Sequence, residues 1–190
     1  YCGRGSFMGF THPACRRAQG VDGFLSVFHY NPALKNIIKQ SKYRLATEVY
    51  DELLTIVPLE FLYKLLFFRK LSSALELQSI PLHKNRLRQR GFNQADVWRD
   101  FLGGYLQQAV KVSHLVRVKE TRAQAQLGSR VERFTNMRGA FSPTPSEAVR
   151  GKSIILCDDV VTTGSTVKEA CRILKKEGAI NVYVFALGRG

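Results

Sequence analysis

The sequence predicts an α/β fold, a mainly parallel twisted sheet flanked by helices. From Leu75 onward, strand-like apolar runs alternate with helical patterns, the arrangement that right-handed crossovers build into a parallel sheet. The run Ile154-Ile155-Leu156-Cys157 is continuously apolar, as a strand covered on both faces must be. It ends in Asp158-Asp159 and, after Val160-Val161, enters Thr162-Thr163-Gly164-Ser165-Thr166, a polar loop opening a helix. Open α/β sheets bind ligands at that position, outside the carboxyl ends of their strands.

Taken in order, residues 1–20 carry Gly, Arg, His and Cys without a hydrophobic period, and read as a small separate module or a disordered tail. Residues 21–190 form the main domain. Phe24, Leu25, Val27, Phe28 and Tyr30 mark a first strand, and Asn31-Pro32 opens a helix running to about Tyr43, with Pro in the first turn. Leu45, Val49, Leu53 and Ile56 recur at helical spacing over 45–56, and 59–71 is a third helix, apolar along one side. Strands then follow at 75–82, 112–118, 153–158 and 181–187, with helices at 94–108 and 165–176. Residues 142–150, with Pro143 and Pro145, form a surface connection with room for a short edge strand.

The 190 residues, 21.5 kDa, can bury one substantial core with a small appendage. The richest apolar stretch, 61–71, is interrupted by Lys64, Arg69 and Lys70, so membrane insertion is not expected. No leader is visible, and Tyr rather than Met at position 1 leaves room for upstream sequence. Cys157 and Cys171 fall at buried positions and only Cys2 and Cys15 in loop-like sequence, a usage that fits a reducing, cytoplasmic compartment. The net charge of +14 points to a polyanionic partner. It concentrates in Lys84, Arg86, Arg88 and Arg90, and again in Arg117, Lys119, Arg122, Arg130, Arg133 and Arg138. Nucleic acid and pyrophosphate both explain such blocks.

Two carboxylates beside an anion-binding loop call for a ligand with both hydroxyls and phosphate. A ribose 5-phosphate compound has them: its cis-diol donates to Asp158 and Asp159, and its phosphate meets Thr162 to Thr166 at the positive end of the helix dipole. No Gly-x-x-x-x-Gly-Lys or Gly-x-Gly-x-x-Gly occurs, so ATPase and dinucleotide readings fall. A second stretch, Pro81-Leu82-His83-Lys84 followed by a basic loop and Arg90-Gly91-Phe92-Asn93-Gln94, places guanidinium groups and backbone amides at another strand end, where pyrophosphate would be held. A third, from Thr121-Arg122 through Gln126, Arg130, Arg133 and Asn136, has the length and charge of a lid.

The Asp-Asp-Val-Val-Thr-Thr-Gly-Ser-Thr run resembles the phosphoribosyl pyrophosphate (PRPP) signature of type I phosphoribosyltransferases. Together with Arg90-Gly91-Phe92-Asn93-Gln94 and the Thr121–Asn136 pattern, it makes the chain, from about Gly20 onward, similar to the ComF family, tied to natural competence and DNA uptake. The resemblance implies a type I phosphoribosyltransferase fold with residues 21–71 as its hood. It implies PRPP contacts from Asp158, Asp159, Val160, Val161, Thr162, Thr163, Gly164, Ser165 and Thr166. Leu82, His83, Lys84, Gly91, Asn93 and Gln94 are expected at the pyrophosphate, with Mg²⁺ bridging it and with Arg90, Arg122 and Arg130 in catalytic roles. Expected partners are PRPP, single-stranded DNA or other nucleic acid, and a helicase of the competence machinery.

Members of the family often carry an N-terminal four-Cys zinc module. Here Cys2, His12 and Cys15 offer three zinc ligands of a zinc-ribbon-like remnant, with His12-x-x-Cys15 at zinc-knuckle spacing. An unstructured tail with two thiols is the other reading. A base-reading lid after the closing strand, as in purine-type enzymes of the superfamily, is not expected here, and the acceptor is expected at the hood, where Phe28, Tyr30 and Tyr43 are candidates for stacking or core.

Overall fold

The computed structural model describes residues 6–40, 47–72, 74–107, 113–122, 128–144 and 149–190. Four strands make one fully parallel sheet: β1 (Gly23–His29), β2 (Leu75–Ser79), β5 (Ser153–Val161) and β6 (Asn181–Arg189), in spatial order β1-β6-β5-β2. This is the parallel α/β architecture, flanked by helices, that the sequence predicted. The helices are α1 (Pro32–Gln40), α2 (Thr47–Thr55), α3 (Leu59–Leu71), α4 (Lys84–Arg90), α5 (Gln94–Leu106), α6 (Arg130–Met137) and α7 (Ser165–Lys176).

Alternation along the two central strands divides the core. Ile155, Cys157, Tyr183, Phe185 and Leu187 face α1, α2, α3 and α5, where Phe61, Phe68 and the fully buried Trp98 fill the space. Trp98 donates its indole N–H to the Phe185 carbonyl at 3.0 Å, so even this polar atom is satisfied. Ile154, Leu156, Val182, Val184 and Ala186 face Val167, Ala170, Cys171 and Leu174 of α7. Small residues on that side let α7 lie close to the sheet, which fixes where its first turn sits. Residues 21–71, assigned above to a hood, supply the edge strand β1 and the helices α1, α2 and α3 of the aromatic layer.

Three local expectations are corrected. Within the described part of the expected 112–118 strand, residues 113–118, only Leu115–Arg117 (β3) is a strand, and it pairs antiparallel with β4 (Phe141–Pro143) in a two-stranded sheet rather than joining the parallel one. Its backbone groups are met by the chain returning after α6, which leaves β2 as the edge of the main sheet. The basic loop after Pro81 is a helix, α4. His83 Nδ1 accepts from the Asn85 N–H at its start, and Gly91, with φ of 81°, ends it by donating to the Leu87 carbonyl. Between those stops, the straight-chain residues of 84–90 favour a helix. β5 also extends past Asp158 to Val161, because β6 offers partners as far as Arg189.

Candidate functional site

The site is built at the carboxyl edge of β5. Its first six residues, Ser153 to Asp158, are buried, and Asp159 follows where the strand emerges from between its neighbours. Asp158 remains 8% exposed, while Asp159 is half-buried. Each carboxylate turns back onto the chain: Asp158 Oδ1 accepts from the Asp159 N–H at 3.0 Å, and Asp159 Oδ1 from the Val160 N–H at 2.8 Å. Burial and the Asp159 charge push the Asp158 carboxyl well above the usual range. A ligand that donates hydrogen bonds or brings a cation to this pair relieves a real cost.

Val160 and Val161 lie in the strand, with Val161 buried, so the anion loop is shorter than the motif: Thr162, Thr163 and Gly164, then Ser165 and Thr166 in the first turn of α7. Gly164 has φ of 73°, a left-handed turn that glycine makes without strain. No side chain caps α7, and Thr163 and Ser165 share a hydroxyl contact at 3.2 Å instead. The N–H groups of that turn are open to an anion.

Arg117, which the sequence placed only within a basic block and not among the site residues, stands beside the carboxylate pair. It is a buried cation on β3, 8% exposed, donating to Thr121 Oγ1 at 2.5 Å and resting 5.6 Å from the Phe141 ring centre. Its Nε is buried with no hydrogen-bond partner among the described residues. Burial and the charges of Arg86 and Arg90 bring its guanidinium down to about 10, opposed by Asp158. Arg117 reciprocally lowers Asp158, so the two face one another electrostatically. The available signal was the alternation Leu115 in, Val116 out, Arg117 in, which sets a charge at a buried register.

The other expected residues divide between ligand-facing and fold-holding positions. Arg90 joins the Arg117 group and hydrogen-bonds Gln94 Oε1 at 3.4 Å; Arg86 donates to the Thr121 carbonyl at 2.5 Å. Leu82 is half-buried and Lys84 exposed at the start of α4. His83 is buried as the α4 cap, 3.8 Å from Glu120. Asn93 spends both polar atoms internally, donating to the Ile80 carbonyl at 3.0 Å and capping α5 through the Ala95 N–H. Gly91 is the C-cap already described. Arg122 is exposed, with its backbone clasped by Asn136, and Arg130 stands over Phe134 beside Lys168. Gln124 and Gln126 of the expected lid lie outside the described residues, as does Tyr43. Tyr30, just past the end of β1, has its hydroxyl raised by burial and, in lesser part, by the Asp159 charge.

Of the three zinc candidates, His12 and Cys15 share one turn, the Cys15 N–H donating to the His12 carbonyl at 2.8 Å, and Cys2 lies outside the described residues. Among the described residues no three His, Cys, Asp or Glu side chains gather as a metal site. Nor is any described helix long and apolar enough to cross a membrane.

The phosphoribosyl transferase domain model matches residues 101–189, which include the acidic strand end, the anion loop and α7. The DNA utilization protein YhgH of Salmonella typhimurium is 34% identical over 169 residues, covering 87% of this chain and 71% of that protein. The same-named protein of Escherichia coli K12 is 32% identical over the same span. Competence protein ComFC of Streptococcus pneumoniae is 30% identical over 175 residues, 92% of this chain and 71% of its own.

Proposed function

The chain belongs to the ComF family of competence-associated, phosphoribosyltransferase-like proteins, and from that premise we propose that it binds Mg²⁺-PRPP and transfers the ribosyl 5-phosphate group to an acceptor. The observation that carries this is the sequence of a carboxylate pair, one member buried, and an uncapped helix start: Asp158-Asp159, Val160-Val161 closing the strand, three loop residues, then α7. Asp158 and Asp159 take the ribose hydroxyls and the loop takes the 5-phosphate. Pyrophosphate lies toward Arg117, Arg86 and Arg90, whose mutual repulsion an anion relieves.

In the reaction, the bond from ribose C1 to the pyrophosphate oxygen breaks with its electron pair leaving on pyrophosphate. An acceptor lone pair forms the new bond to C1, and the acceptor gives up a proton. The arginines stabilise the charge growing on the leaving group, and a lid carrying Arg122 and Arg130 would shut out competing water. The carboxylate pair fits a divalent cation, since burial and the neighbouring Asp159 disfavour the Asp158 charge; Mg²⁺ on the diphosphate would supply further neutralisation of the leaving group. The reading extends to a cytoplasmic location and to zinc on Cys2, His12 and Cys15, which metal analysis of the purified protein tests.

Calorimetric titration with PRPP, with and without Mg²⁺, tests the proposal against an Asp158→Asn/Asp159→Asn variant. Mg²⁺-dependent binding that falls at least roughly 100-fold in the variant is expected, given two charge-assisted acceptors removed. Absence of binding in the unaltered chain overturns it. The second reading would then lead: a nucleic-acid-binding competence accessory, favoured by the +14 charge and by relatives named for DNA utilization and competence.

A further inference from the structure

A second hollow, a cleft of about 890 Å³, lies between the N-terminal segment and α7, with Phe24 and Phe134 in its lining. Its outer wall is anchored rather than draped. Buried Asp22 binds Arg16 of that wall at 2.9 Å, Lys175 of α7 at 2.6 Å and the Val182 N–H of β6 at 2.8 Å. Thr11 is tied to the backbone of Val21 and Asp22, so residues 11–22 stand at a fixed distance from α7.

The lining holds Arg17, Lys168, Arg172 and Arg189 against one acid, Glu169. That acid is consumed: Arg172 grips both its oxygens at 2.8 and 2.9 Å, and the Gly139 N–H donates to it at 2.9 Å. Neither Arg17 nor Lys168 has a carboxylate partner among the described residues. The Lys168 ammonium sits 4.9 Å from the Phe134 ring centre and the Arg130 guanidinium 5.8 Å from the same ring. Burial with the charges of Arg130 and Arg17 makes Lys168 easier to deprotonate, the mark of cations collected without an anion.

Cations select an anion, and rings beside them select a flat aromatic group. We propose that this cleft is a nucleoside phosphate site separate from the PRPP edge, with the phosphate at Lys168 and Arg17 and the base against Phe134. The volume accommodates one nucleotide-sized ligand of the usual small-molecule range. Ser165 lines the cleft and also opens the PRPP loop, so the two sites meet at the first turn of α7. The proposal does not need the carboxylate pair and survives its loss. A free nucleotide and the 5′-phosphorylated end of a nucleic-acid strand present the same chemistry.

The test is calorimetry on the Asp158→Asn/Asp159→Asn chain with adenosine monophosphate and, separately, ribose 5-phosphate, which lacks the base. Adenosine monophosphate should bind at least about tenfold more tightly than ribose 5-phosphate, one stacked base being worth that much. Arg17→Glu should weaken both ligands by about tenfold, since both carry the phosphate it meets, whereas Phe134→Leu should weaken adenosine monophosphate by about tenfold and leave ribose 5-phosphate, which has no base, unchanged. Arg17 is exposed, so its variant keeps the test valid if Phe134→Leu folds poorly. A 5′-phosphorylated oligonucleotide that competes with adenosine monophosphate identifies a strand end as the source, and one that does not identifies a free nucleotide. Equal affinity for the two small ligands, or indifference of adenosine monophosphate to Arg17→Glu, overturns the proposal.

Discussion

The carboxyl edge at Asp158 and the cleft at Lys168 adjoin through one turn of α7, yet they handle charge in opposite ways. At the edge both signs are buried and face each other: Asp158 is driven toward its neutral form by burial and Asp159, Arg117 by burial and two arginines, and each is held back by the other. In the cleft the cations outnumber a single acid already bound to Arg172, and aromatic rings stand where carboxylates would be. A wall with both signs suits a ligand that donates and accepts; a wall with one sign and rings suits an aromatic anion. The lesson is that a net charge of +14 says little about specificity until its local partners are known.

Removing Arg117 should break the contrast most sharply, because it takes the buried cation out of the edge and leaves the cleft intact. Arg117→Met is expected to weaken PRPP by roughly 100-fold while leaving ribose 5-phosphate within about threefold, since only PRPP carries the pyrophosphate that a guanidinium fork grips. Arg117→Lys should fall between, keeping the charge without the fork. Parallel titrations of both ligands check this. Equal losses for the two would mean that Arg117, through Thr121 and Met137, only holds the fold.

The edge should also reveal itself in the absence of ligand, through pH. Asp158 keeps a proton in the folded chain that the unfolded chain has released, so its contribution to stability falls as pH rises from near 3.8 through its raised value. Glu76 and Glu169 act oppositely: ion pairs lower them, and their contribution is lost as pH falls. The difference between the unaltered chain and Asp158→Asn isolates the aspartate. Thermal melts should show the variant more stable at neutral pH, by roughly 2–4 °C for each kcal/mol relieved, and the two converging near pH 4. A variant that melts lower at neutral pH would show that the carboxylate is stabilising and undo the account of the edge.

Much of this organisation was legible because it is periodic or local. Unbroken apolar residues identified β5, alternation with helices gave the parallel sheet, and the acid pair with its polar loop located the edge within a few residues. What escaped depends on partners distant in sequence. β3 joins β4 rather than the main sheet through a return that no local pattern encodes, and that pairing makes Arg117 face inward. The helix in the basic stretch was hidden because its capping residue is His83, outside the usual capping set, and its stop is a glycine read as part of a ligand motif. The cleft needs residues 11–22 held against α7 by Asp22, which reaches 160 positions to β6 as well.

Asn93 sharpens the division between motif residues that meet ligand and those that hold the edge in shape. It stands in Arg90-Gly91-Phe92-Asn93-Gln94 beside Arg90, yet its amide donates to the Ile80 carbonyl and its oxygen caps α5. Asn93→Ala therefore loses a helix cap and leaves a buried carbonyl unmet, together about 1–3 kcal/mol, seen as a melting point lowered by several degrees. PRPP affinity should stay within about threefold in the folded fraction, a change near 0.6 kcal/mol. Asn93→Ser, which restores a capping oxygen but cannot reach Ile80, should recover part of the melting point. A steep loss of affinity with an unchanged melt would move Asn93 from the scaffold to the ligand, and the pyrophosphate end of the site would then extend along α5 rather than stop at Arg90.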